Sequence, residues 1–266
     1  VVAQAALTYA AASALALRMH PELLGPPVPH SFGEVGRDAG HVPAGPAGVL
    51  ADLRDGLRHL RHRPVPATAL AAIGVHRFGF GAATVMTVLI CRYRLVGADR
   101  PEQGFALLAV SVGLVGAGYA AAAVLTPFGS TWLGPTGWIT ACLVAAGTLP
   151  MMLVLTSTTA GLLAASFLFG LAGQGAKICV DALVQWGVDD DYRGRAFSVY
   201  DLVFNAAFVA AVAGSALVLP ADGYAPPWLL VLTGWYLTAA ALYRWANRAI
   251  RAPAPAPAGT AQPEQA

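Results

Sequence analysis

The stretch "GQGAKICVDALVQ" (173–185) sets a cation and an anion, Lys177 and Asp181, inside an otherwise apolar run. From Thr159 to Trp186 these two are the only formally charged side chains. Four residues apart, they share one helix face. Gln174 and Gln185 extend the same polar stripe, with Gly170 and Gly173 beside it. Such a stripe suits packing against a neighbouring span or the lining of a water-filled path. Lys before Asp is the less favourable order for an i,i+4 pair, because the helix dipole opposes it. A partner outside the helix is therefore expected, with Arg193, Arg195 or Asp201 as candidates. Three readings stand side by side: a gate or interhelix network, a proton or substrate coupling element, and a passive pair.

Arg77, in "GVHRFGFG" (74–81), lies near the middle of a second apolar run, 67–91. At 1.5 Å per residue this is close to the centre of a bilayer. A central Arg costs about 2.5–3.5 kcal/mol on insertion scales, so it should face a polar interior and a partner. It is either a cation in a substrate cavity or half of a buried structural ion pair. His76 adjoins it in sequence but points about 100° away around a helix. It joins Gln174 as a further cavity candidate. The turn "DDDYRGR" (189–195) reads as a solvated loop or as an inner latch, its Arg193 and Arg195 meeting acids on adjacent helix ends. Asp201 and, four residues on, Asn205 could carry that network inward.

The remaining chemistry is sparse. No phosphate-binding G-x-x-x-x-G-K-[ST], no H-E-x-x-H, no G-x-S-x-G and no carboxylate pair within a span occurs. No catalytic residue, cofactor or metal site is expected, and the chain does not read as an enzyme. Cys91, Cys142 and Cys179 fall singly in apolar runs, which is neither a disulfide framework nor a metal spacing. Five of the six histidines lie between residues 18 and 66, without metal-ligand spacing. A net charge of +2 gives no reason to expect a nucleic-acid partner.

The elements that hold these residues follow from composition. Of 266 residues, 57 % are hydrophobic and 11 % charged, and the mean hydropathy is +0.60. Soluble domains carry roughly 25 % charged residues, so this chain lacks the polar surface of a water-facing globule. An all-α polytopic membrane protein is expected, with the lipid bilayer as its surroundings. Six spans are expected at 67–91, 104–126, 136–156, 160–186, 196–219 and 226–246, each near the length a bilayer requires. Turn chemistry separates them: "GADRPEQG" (97–104), "TPFGSTWLGP" (126–135) and "LPADGYAPP" (219–227). The run 1–17 reads as a further transmembrane helix cut at its start.

Residues 18–66 form the longest polar stretch. The first part is rich in Pro and Gly and reads as a linker. Over 49–62, Leu50, Leu53, Leu57 and Leu60 recur at helical spacing, with Arg54, Arg58 and Arg61 on other faces. That is an amphipathic helix suited to the headgroup layer. Residues 251–266, "RAPAPAPAGTAQPEQA", read as a disordered tail. Orientation follows from the basic residues. Placing 18–66 inside puts eleven of the 16 there and leaves only Arg92, Arg94 and Arg100 outside. A plasma-membrane protein with the linker and C-terminus in the cytoplasm is expected.

One cut helix, a long basic linker with an amphipathic helix, and six spans ending inside resemble the C-terminal half of a major facilitator superfamily transporter. The local text agrees with the drug- and siderophore-exporter-like branch. "DLRDGLRHLRHRP" (52–64) resembles the stretch before the seventh helix and "GYAAAAVLTP" (118–127) the end of the eighth. "GQGAKICVDALVQWGVDDDYRGRAFSVYDLVFN" (173–205) resembles the tenth helix, its cytoplasmic turn and the eleventh. The resemblance implies a secondary active exporter of small molecules working by alternating access, with protons as the family's usual coupling ion. It also implies a partner, an N-terminal six-helix half, from the same chain upstream or from a separate chain. On this reading the sequence is a fragment, one piece of a split transporter, or a degenerate product. The alternative is a non-transporting membrane half-bundle with a structural or partner-binding role. One departure stands out. The family usually has a basic turn between helices eight and nine, whereas "TPFGSTWLGPTGW" (126–138) is uncharged.

Overall fold

The computed structural model describes residues 46–251. The expected first helix at 1–17, the Pro/Gly-rich part of the linker and the tail from 252 lie outside the described residues. Every element among the described residues is helical: α1 (Pro46–Arg61), α2 (Pro64–Leu89), α3 (Pro101–Leu155), α4 (Thr159–Gly187), α5 (Asp190–Val218) and α6 (Pro226–Arg251). A π-helical stretch, Ile90–Leu95, continues α2 beyond its expected end at residue 91.

Local chemistry explains the breaks. Pro opens α1, α2, α3 and α6, where its missing N–H costs no hydrogen bond. Gly97 and Gly223 take φ of +95° and +70° in the connections, a region open to Gly at little cost. Thr158 caps α4, its Oγ1 accepting the Gly161 N–H at 3.0 Å. Asp190 and Asp191 sit in the first turn of α5, where they oppose the positive end of the dipole. The "DDDYRGR" motif is therefore mostly the first turns of α5, not the loop expected before residue 196.

The 55-residue α3 is not one rod. Gly134 has φ 70° and ψ 160°, and Pro135 follows it. Trp138 Nε1 donates to Thr126 Oγ1 at 3.3 Å, although twelve residues of straight helix would span about 18 Å. The chain folds back here, so α3 is two arms joined at Gly134, where spans were expected over 104–126 and 136–156. Four helical segments are long and apolar enough to cross a membrane: Pro64–Leu95, Pro101–Leu155, Thr159–Gly187 and Asp190–Val218. With no strands among the described residues, this is an all-α polytopic membrane protein.

The core joins α2, the second arm of α3, α4 and α6 through Ile73, Leu143, Val180, Leu232 and Tyr236. Backbones touch where α4 crosses the first arm of α3. A Cβ on Gly118 would lie 2.3 Å from the Phe167 carbonyl oxygen, and one on Gly170 would lie 2.4 Å from that of Val115. Only Gly118 of the "GLVGAG" run does this work, because Gly113 and Gly116 meet nothing within 4 Å. Replacing Gly118 or Gly170 with Ala should cost about 1–3 kcal/mol through overpacking. Gly116→Ala should be near neutral, and thermal unfolding in detergent would separate the two classes.

Candidate transport site and inner ion network

Arg77 stands on α2 about 20 Å of helix from Pro64. Its guanidinium carbon lies 3.9 Å from the Phe204 ring centroid, 4.9 Å from that of Phe208 and 5.1 Å from that of Phe80. Two helices, α2 and α5, thus wrap one cation in aromatic faces, whose negative quadrupoles attract it. No acid pairs with it among the described residues, and its Nε is buried without a hydrogen-bond partner. The structural ion pair considered for Arg77 is not formed within the described chain. What remains is a half-buried cation with fork-shaped donors available to a carboxylate or phosphate.

His76 faces the other way. It is buried, ringed by Phe80, Phe169 and Tyr236. Its Nδ1 lies 3.0 Å from the Tyr236 hydroxyl, which is also 3.2 Å from the His76 carbonyl oxygen. With the proton on Nδ1, the imidazole donates to the phenol and the phenol to the carbonyl, satisfying both groups. Gly173 makes room for the ring, since a Cβ there would stand 2.3 Å from Nε2. Gln174 is half-buried next to it on α4.

Toward the α1 end, Lys177 Nζ donates to Asp181 Oδ2 at 2.5 Å, and the Tyr200 hydroxyl donates to Asp181 Oδ1 at 2.7 Å. Lys177 also sits 5.7 Å from the Tyr200 ring centroid. The outside partner is thus Tyr200 on α5, rather than Arg193, Arg195 or Asp201. A phenol succeeds because it satisfies the carboxylate without bringing another charge into the apolar layer. Pairing across 19 residues and two helices leaves no local signal, which is why spacing arguments missed it.

A second layer ties α1 to the start of α5. Arg195 Nε donates to Asp52 at 3.2 Å, and Arg63 Nη2 reaches both oxygens of Asp189 at 2.6 Å. His59 stacks on Tyr192 with ring centroids 4.3 Å apart, its Nε2 3.7 Å from Asp189. Gly56 lets the helices close, because a Cβ there would meet the Arg195 carbonyl oxygen at 2.8 Å. Arg193 instead pairs with Asp190 and approaches the Gln185 carbonyl oxygen at 3.5 Å, so Gln185 takes part through its backbone. Asp201 and Asn205 are exposed on α5, and Asn205 donates to the Asp201 carbonyl at 2.8 Å. They stand apart from both layers. Asp52, Arg63 and Asp189 were missed, although opposite charges on the amphipathic helix and in "DDD" were the available sign.

A cavity of about 290 Å³ lies toward the opposite end, between α2, both arms of α3, α4 and α6. Phe80, Met86 and Phe169 line it, with the hydroxyls of Thr84, Ser111 and Ser166. Those hydroxyls donate to carbonyls of their own helices at 2.8–3.0 Å, which leaves the space apolar.

The fold defines a polytopic helical membrane protein, with a cation part-way along α2 and a charged network toward the α1 end. Comparison with known proteins narrows the class. The chain is 31 % identical over 197 residues to an uncharacterized MFS-type transporter of Mycobacterium bovis, and equally to one of Mycobacterium tuberculosis. In each case the match takes in 71 % of this chain and 42 % of the relative. Over that span it is a relative of MFS-type transporters, and it covers under half of their length. No family model matches the chain, and no solved structure matches it significantly.

Tyr200→Phe should lower stability by about 1.5–3 kcal/mol, since it removes a hydrogen bond to a charged group. In a double-mutant cycle with Asp181→Asn, most of that loss should appear as coupling between the two sites, read from unfolding in detergent. The outer pair, Asp52 with Arg195, is likewise about one-third exposed, so water screens it. Asp52→Arg and Arg195→Asp should each cost at most about 1 kcal/mol at low salt, and the double reversal should restore stability.

Proposed function

We propose that the chain is the C-terminal six-helix half of an MFS-type secondary transporter that exports small molecules by alternating access, driven by the proton gradient. Arg77 carries the reading. A cation at mid-span, caged by Phe80, Phe204 and Phe208 and without an acid partner among the described residues, suits the anionic group of a cargo. Its place between α2 and α5 fits a site at the face shared with an N-terminal six-helix half. The two arms of α3 count as separate passes, and α6, 26 residues long, is the sixth.

Lys177, Asp181 and Tyr200 form the inner gate, below the site. The pairs at the α1–α5 junction, Asp52 with Arg195 and, just outside the two helices, Arg63 with Asp189, form the latch at its mouth. The latch end is cytoplasmic in a plasma membrane. Support comes from the basic residues: Arg54, Arg58, Arg61, Arg63, Arg193, Arg195, Arg244 and Arg248 gather there, against Arg92, Arg94 and Arg100 at the other end.

In the complete transporter, Arg77→Gln should reduce movement of an anionic or zwitterionic cargo at least about tenfold, the worth of one charge-assisted contact. Because no acid would be left unpaired, its thermal stability should stay within about 1 kcal/mol of the parent, whereas breaking a buried pair costs about 3–5. A destabilised variant, or full transport, would reduce Arg77 to packing. Dissipating the proton gradient in vesicles should stop accumulation. Unchanged accumulation would sink the coupling claim.

A further inference from the structure

The leucine stripe of α1 does not all turn inward. Leu60 is buried and Leu53 half-buried against the bundle, whereas Leu50 and Leu57 are 67 % and 52 % exposed. At 100° per residue, Leu50, Leu57, Arg54 and Arg61 fall within about 60° of one another, with Arg58 beside them, so these arginines border the outer leucines rather than standing on the separate faces expected of them. All three arginines are exposed. Arg58 is held by Asp55 at 3.3 Å, and Arg54 and Arg61 make no ion pair among the described residues. The outward face of α1 is therefore two leucines flanked by free guanidinium groups. Its inward face is fixed to α5 by Asp52 and the stack of His59 on Tyr192, and Arg63, two residues past its end, holds Asp189.

The level of this face can be read from the rest of the bundle. Trp132, Trp186 and Trp245 lie at the same end and are 89 %, 80 % and 70 % exposed. Trp186 adjoins Gly187, which packs on Pro66, and Trp245 lies two residues before Asn247, whose Nδ2 donates to Thr68. Exposed indoles at one end of apolar spans mark the layer where hydrocarbon meets water. Only Arg61, His62 and Arg63 separate the last leucine of α1 from the first proline of α2, so α1 stands at that layer.

We propose that the outward face of α1 docks on anionic lipid headgroups, with Leu50 and Leu57 entering the acyl boundary and Arg54, Arg58 and Arg61 meeting phosphates. Shallow apolar residues flanked by cations bind through buried area and attraction to negative lipid together. Charge supplies the selectivity, because zwitterionic headgroups offer no net field to three arginines. Since the opposite face of the same helix holds Arg195 through Asp52 and stacks on Tyr192, bilayer composition bears directly on the α1–α5 contacts of the proposed latch.

The full chain, with Ala51→Cys carrying a polarity-sensitive fluorophore, tests this in nanodiscs. The native cysteines Cys91, Cys142 and Cys179 are buried, so labelling is selective. Acrylamide, a neutral quencher, reports exposure in phosphatidylcholine alone and with about one-third phosphatidylglycerol. The expected result is at least about threefold less quenching and a blue shift in the anionic discs only, weakened near about 0.5 M salt. Arg54→Gln with Arg61→Gln should abolish the difference, and Arg54→Lys with Arg61→Lys should keep most of it. Circular dichroism and unchanged Asp52–Arg195 pairing, read by cysteine cross-linking, confirm that these surface variants are folded. Equal protection in both bilayers, or protection that survives the glutamine pair, would overturn the proposal. So would exposure in both, which would leave this face to a protein partner.

Discussion

Close approach of helix backbones is the constraint on which the rest of this structure depends. Lipid offers no hydrophobic drive between helices, so association rests on packing and on the few polar contacts available. Gly118 against Phe167, Gly170 against Val115, and Gly173 under the His76 ring bring α4 into the centre of the bundle. Only with α4 so placed can Asp181 reach Tyr200 on α5.

The polar groups fall into levels of decreasing burial along the bundle. His76 is wholly enclosed and satisfied by Tyr236. Lys177 and Asp181 are about one-third exposed and joined by a phenol. Asp52 with Arg195 is equally about one-third exposed, and Arg63 with Asp189 about half. Electrostatic strength follows the same order, because screening by water and salt grows toward the surface. Arg77 breaks the series: it lies deep, yet only aromatic faces answer its charge.

Much of the architecture was legible because the bilayer imposes a length and turn chemistry marks the ends. The reversal lies in the turn-rich "TPFGSTWLGP", and a helix runs over Pro46–Arg61, where leucine spacing pointed to an amphipathic one over 49–62. The start of α5 was not legible in this way, because "DDDYRGR" is polar enough to read as a loop until dipole stabilisation of Asp190 and Asp191 is considered. The prolongation of α2 through Ile90–Leu95 depends on packing, with Gly104 pressed against Arg92. Sequence spacing singled out Lys177, Asp181 and Arg77 as residues needing an explanation. It could not give Tyr200, Phe204 or Phe208 their partners, since these come from how α5 rotates against its neighbours.

The uncharged reversal at Gly134 makes the two edges of the same bundle end unlike in kind. One edge, α1 with α5, is closed by guanidinium–carboxylate pairs that ions in solution can compete for. The other is closed by the Trp138 ring lying over Gly129 and by its indole N–H on Thr126, contacts indifferent to ionic strength. Any parting of this end would therefore begin on the charged edge, with the tryptophan-sealed edge serving as the axle.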